Sequence, residues 1–171
     1  PNRIRKFEAA LPLTANRLFS YKNFDLSFFF QGSYGNDIYN ATRMFTEGMF
    51  DSRNQSDRVL MRWRNPGDYT TVPRAEKDKY PAISSRFVED GSYFKLKNVK
   101  LSYTLPRPLT RKALMDRVTV YISGDNLVTF TNYRGYDPEV NSGGGSSSAM
   151  GIDQGVFPHA RSYILGATIV F

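Results

Sequence analysis

The sequence predicts an all-β protein, about five antiparallel strands that form part of a larger transmembrane β-barrel. Three observations carry this reading. The run Arg161–Phe171 alternates strictly and stops on an aromatic side chain. Earlier runs alternate in the same way, apolar on one face and mostly polar on the other. The connections between them alternate short and long, as turns and outer loops do in outer-membrane barrels.

The first run, Leu13 to Tyr21, sets Leu13, Ala15, Phe19 and Tyr21 on one face, with Arg17 among them. Lys22-Asn23 reads as a two-residue turn, Asn tolerating positive φ. Phe24 to Gly32 follows: Phe24, Leu26, Phe28 and Phe30 oppose Asp25, Ser27, Phe29 and Gln31. The long polar stretch from Ser33 to Arg86 holds two predicted short helices, about Ile38–Met49 and Ser56–Arg64, the second stopped by Asn65-Pro66-Gly67. Its length exceeds ordinary loops and marks a functional excursion.

The third strand, about Tyr93 to Leu105, places Val99, Leu101, Tyr103 and Leu105 opposite Lys100, Ser102 and Thr104. Pro106 and Pro108 end it, because proline cannot join a ladder. One helical turn is predicted at Arg111 to Asp116, then a strand from Val118 to Thr131 with Gly124 as a bend or bulge. A Gly/Ser-rich loop, 132–157, leads to the last strand, where Tyr163, Leu165, Ala167, Ile169 and Phe171 share the apolar face. A complete bacterial barrel has an even strand number of at least eight, so five strands predict the C-terminal portion of a larger barrel. On the loop-length rule the last strand ends in the periplasm, and 33–86 and 132–157 are extracellular loops. Lys100 is expected to face the lumen, since at mid-membrane on the lipid face a lysine costs roughly 2–4 kcal/mol.

Composition narrows the chemistry. The chain has 171 residues, no Cys and a single histidine, His159, which removes disulfide scaffolds and thiolate metal sites. No metal or cofactor is expected. The net charge is +7, but its basic residues are scattered (Arg3, Arg5 and Lys6; Arg62 and Arg64; Lys95, Lys97 and Lys100; Arg107, Arg111, Lys112 and Arg117), which speaks against nucleic acid. Aromatic residues make up 15% of the chain, enough to furnish membrane girdles. Pro1–Lys6 lacks the apolar core of a signal peptide; for an exported protein this places the true N-terminus further upstream.

Asp137 and Glu139 flank Pro138, and turn formation is the simpler reading of this pair than acid/base catalysis. Asp125-Asn126 likewise reads as strand-end hydrogen bonding, and Gly143-Gly144-Gly145 lacks the Lys-Ser/Thr of a phosphate loop. His159 reads as a strand-entry residue. The excursion is where substrate contacts are expected: Tyr34, Tyr39, Trp63, Arg64, Asn65 and Tyr69 offer flat apolar faces and polar edges suited to sugar rings or peptide backbones. For any one of them, packing of the loop against itself or a lid protein is the competing role.

Several stretches together resemble SusC/RagA-type TonB-dependent transporters of Bacteroidetes: Phe24–Gly32, Arg86–Val99, Leu101–Pro106, Asn126–Thr129, Gly135–Glu139 and Phe157–Tyr163, closing on Phe171. The resemblance covers nearly the whole chain in order. It implies a barrel of about 22 strands around a plug. It also implies import of glycans or peptides beneath a SusD-like surface lipoprotein, energised by TonB, in the outer membrane. The plug and TonB-contacting segment are expected upstream of Pro1. No enzymatic activity is implied. The terminal residues Tyr163, Leu165, Ile169 and Phe171 form the pattern that barrel-assembly machinery is expected to recognise. The alternatives are a soluble β-sandwich carbohydrate-binding module or fragment of a glycan-active enzyme, and a barrel segment held as an assembly substrate.

Overall fold

The computed structural model describes residues 11–139, 142 and 151–171. Its strands are β1 (Leu11–Tyr21), β2 (Phe24–Tyr34), β3 (Asp37–Asn40), β4 (Val88–Asp90), β5 (Tyr93–Thr104), β6 (Arg117–Thr131), β7 (Ile152–Asp153) and β8 (Ser162–Val170). Two short helices, α1 (Ala41–Thr46) and α2 (Arg107–Thr110), accompany 3-10 turns at Asp57–Met61, Ser85–Phe87 and Arg111–Ala113. The chain divides into a sheet unit and a loop unit; the latter draws on Asp37–Asp90 and the described part of Tyr133–Pro158.

The sheet unit is an antiparallel meander in the order β1-β2-β5-β6-β8. Residues opposite each other in a ladder point to the same face, so the register defines two surfaces. Phe19, Leu26, Leu101, Ile122 and Leu165 form one continuous row across all five strands. Tyr21, Phe24, Tyr103, Val120 and Ala167 form the next row, towards the short turns. This apolar surface stays open: Leu165 is 83% exposed, Phe19 59% and Ile122 52%. A soluble sandwich would cover such a face with a second sheet. The opposite face carries Asp25, Ser27, Gln31, Lys100, Ser102, Tyr121, Ser123 and Asp125, with the Lys100 ammonium 4.2 Å from the Tyr121 ring centroid.

Local details differ from the sequence expectation in instructive ways. At the Lys22-Asn23 turn the positive φ belongs to Lys22 (52°). Asn23 contributes its side chain instead, donating to the Thr104 carbonyl at 2.8 Å while Thr104 N–H donates back to the Asn23 carbonyl. Gly124 pairs regularly with Val99 and Tyr163. The bulge lies just beyond it, where Lys97 on β5 and Asn126-Leu127 on β6 drop out of register. Lys97 is also the extra residue against Phe29/Phe30 of β2. This shift moves Leu96 and Phe94 to the face of Val99 and Leu101, which strict alternation from Leu101 would have denied them. A Cβ at Gly124 would meet the tip of the Leu127 side chain at 2.8 Å, so a larger residue there would displace Leu127. After Pro106 the helix starts earlier than expected, at Arg107, and ends at Leu114 in the left-handed region.

In the loop unit the two long connections fold together. β3 pairs antiparallel with β4 and parallel with β7, giving the order β4-β3-β7. Ile38, Ala41, Phe50, Val72 and Phe87 are buried in its core. The predicted helix at Ile38–Met49 is therefore strand at its start, through Asn40, and helix only over Ala41–Thr46. Residues Asp37–Asn40 are captured by long-range pairing, and the Asn40 side chain caps α1 by accepting from the Arg43 N–H at 2.9 Å. The second predicted helix, Ser56–Arg64, shortens to the 3-10 turn Asp57–Met61.

Candidate functional site

The loop unit is organised around a buried carboxylate. Glu47, just past α1, is 1% exposed and receives Arg43 at 2.9 Å, Arg86 at 2.9 Å and Arg58 at 3.6 Å. Arg43 also binds Glu89 of β4. Burial pushes the Glu47 carboxyl up, but the Arg43 hydrogen bond and the charges of Arg43, Arg58 and Arg86 outweigh it and leave the pKa below the ordinary value. A second buried contact closes the other connection: Tyr133 donates its hydroxyl to Asp153, whose other oxygen accepts from the Gly155 N–H at 2.8 Å. Burial, then the Asp153 bond, raises the Tyr133 phenol far above its usual range. Neither hub was singled out from sequence, although the Arg43/Glu47 spacing of four is a readable helix pair.

Upon this frame sits a closed hairpin. Trp63 N–H donates to the Val72 carbonyl at 2.9 Å, and the Thr70 hydroxyl donates to the Met61 carbonyl at 2.6 Å. At its tip the Asp68 carboxylate accepts from the N–H groups of Arg64 and Asn65, both at 2.9 Å. Those backbone bonds, Asn65 first, hold Asp68 below its ordinary pKa. Gly67 supplies the positive φ (102°) that the reversal requires. Four of the residues named from sequence thus share one rigid element. Tyr69 is fully exposed, Arg64 and Asn65 are exposed, and Trp63 is half-buried.

Tyr39 has a different setting. Its ring lies edge-to-face on Phe87 at 6.2 Å and its hydroxyl reaches the Met44 sulfur, so it packs within the loop unit. Tyr34 ends β2 in the sheet unit and is 66% exposed. It lines an open cleft of about 600 Å³ with Leu13, Phe94 and Phe130. Among the other candidates, Glu139 N–H donates to the Asp137 carboxylate in a turn. Asp125 accepts from Asn98 on β5 (2.7 Å) and Ser162 on β8 (2.9 Å), a cross-strand ladder. Gly143–Gly145 lies outside the described residues. Tyr163, Leu165 and Ile169 project from β8 on the exposed apolar face, and the chain ends on the exposed Phe171.

No family model matches the chain. It is 38% identical over 156 residues to the TonB-dependent receptor P3 of Formosa agariphila, covering 88% of this chain and 15% of that protein. It is 29% identical over 163 residues to the TonB-dependent receptor SusC of Bacteroides thetaiotaomicron, covering 88% of this chain and 14% of that one. A solved structure of the RagAB peptide importer in a closed-closed state matches 91% of the chain, with a TM-score of 0.74 and 27% identity. The chain sits with the SusC/RagA-type TonB-dependent transporters. The open-open RagAB importer is similar to it at a TM-score of 0.73. These SusC/RagA-type relatives are named as receptors and importers, not as enzymes. The chain spans about 15% of the length of the curated relatives, and the five-stranded sheet is the SusC/RagA-type barrel wall within that span.

Proposed function

We propose that this chain is a wall segment with two outer loops of an outer-membrane nutrient importer. It would take up glycans or peptides with a SusD-like surface lipoprotein and draw energy from TonB through other parts of the protein. The observation that carries this reading is the continuous apolar face registered across β1, β2, β5, β6 and β8, opposite a polar face. Such a sheet suits a wall with lipid on one side and a hydrated lumen or plug on the other. Both short connections, Lys22-Asn23 and Leu105–Asp116, lie at one end of the sheet, and the long connections start from the other. We read the short end as periplasmic, with Phe171 there and the two long connections extracellular. The exposed apolar residues of β8 with Phe171 suit recognition by barrel-assembly machinery.

Single cysteines at Asn65 and at Lys112 in the full-length transporter test this topology in intact cells with a membrane-impermeant maleimide. Labelling at residue 65 and protection at residue 112 is the expected outcome; the reverse overturns the orientation. A detergent-free, monomeric and cooperatively folding isolated chain would instead support a soluble module.

A further inference from the structure

Among the residues that the ladders place in register on the apolar face, one is charged, Arg17. It stands opposite Phe28 in the β1–β2 ladder, on the face of Ala15, Phe19 and Tyr21. The row continues through Val99, Gly124 and Tyr163 without a carboxylate. Arg17 is exposed and joins no ion pair among the described residues. It lies four positions from Tyr21, about 10 Å above the turn-side aromatic row for a strand tilted as in membrane barrels. At that depth a guanidinium, which stays charged, costs roughly 2–4 kcal/mol against lipid tails.

β1 is also the edge of the sheet, and its outer N–H and C=O groups have no strand against them among the described residues. Lipid cannot satisfy such an edge, so in a membrane wall another strand must pair there. A residue on that strand opposite Arg17 would lie about 5 Å away on the same face, closer than any headgroup phosphate at the interface.

We propose that Arg17 pairs with an aspartate or glutamate on the strand that completes the open edge of β1, forming an ion pair on the lipid side of the wall. The pair sets register: a one-residue slip would turn Arg17 inward and leave the carboxylate facing lipid alone. The proposal rests on the reading of the sheet as a membrane wall.

The test uses the full-length transporter in neutral detergent, where no lipid phosphate is present, with Arg17→Leu, Arg17→Lys and Leu101→Arg. Thermal unfolding is followed by the heat-modifiable mobility of the barrel. Pairing predicts that Arg17→Leu lowers the melting temperature or the assembled yield, although it removes a charge from an apolar face, while Arg17→Lys largely retains both. Replacing the facing carboxylate by Leu in the Arg17→Leu background restores them. An Arg17→Leu variant as stable as the parent in this detergent, or more so, overturns the pair; so does equal loss with Lys. Leu101→Arg separates the two readings. If it blocks assembly while Arg17→Leu is neutral, the wall stands and the ion pair falls.

Discussion

Arg86 binds Glu47 at 2.9 Å, joining residues 39 positions apart and closing the first long connection on itself. With Arg43 and Arg58 on the same carboxylate, one side chain anchors α1, the Asp57–Met61 turn and the approach to β4. Glu47→Ala removes the carboxylate shared by Arg43, Arg58 and Arg86 and leaves Arg43 with Glu89 alone. Loss of one partner of a buried pair costs about 3–5 kcal/mol, and partial exposure of the arginines puts this case at the low end. Hydrogen exchange over 38–90 is expected to accelerate markedly while the strands of the sheet unit keep their protection.

The same carboxylate makes the loop unit acid-sensitive. Its folded pKa lies below the ordinary value, so its contribution is fully present above the unfolded pKa of about 4.3 and is lost as pH falls through the depressed folded value. Resistance of the loop unit to an acid-active protease should be flat from neutrality to about pH 5 and fall below about pH 4. Glu47→Gln should lower resistance at neutral pH and flatten that profile.

Gly166 of β8 faces Tyr121 so closely that a Cβ would lie 2.5 Å from the phenol ring. That ring also carries Lys100. Gly166→Val should therefore destabilise the barrel by about 1–3 kcal/mol, read from urea unfolding in detergent. In a Tyr121→Ala background the same substitution should be mild.

The two faces of β5 make opposite demands. Leu101→Arg places a charge on the apolar row next to the turn-side aromatics and should reduce assembled barrel, at a cost below the roughly 2–4 kcal/mol of mid-membrane. Lys100→Gln, on the polar face, should assemble normally. Heat-modifiable gel mobility of outer-membrane fractions distinguishes the two, and the reverse pattern would exchange the face assignments.

Replacing Trp63 and Tyr69 by Ala should weaken substrate binding by the transporter several-fold, most strongly at the fully exposed Tyr69. Calorimetry with the transported glycan or peptide checks it. Unchanged affinity in both would leave the hairpin a packing or lid-contact element.

The strands were legible because their signal is local: alternation in Phe24–Gln31 or Val118–Ser123 is complete within eight residues or fewer. Features set by distant partners were not. Asp37–Asn40 has helical neighbours, yet its pairing with Val88 and Ile152 makes it a strand. Glycine is the visible clue and points to a bend or bulge at Gly124, whereas register against Leu96 and Asn98 places the bulge at Asn126-Leu127. In the candidate site the aromatic residues were visible by type. Their separation into the hairpin at Trp63–Tyr69 and the packed Tyr39 depended on contacts with Phe87 and Val72. The Glu47 hub leaves no local sequence signal beyond Arg43, because Arg58 and Arg86 reach it only in the folded loop.

β3 lies between a strand of its own connection and β7, a two-residue strand from the other. Transplanting either excursion alone between related transporters would remove one neighbour from β3 and expose the backbone it had covered. The heritable unit of change in this region is the pair of connections, and recombination between relatives should preserve the fold of the loop unit only when both travel together.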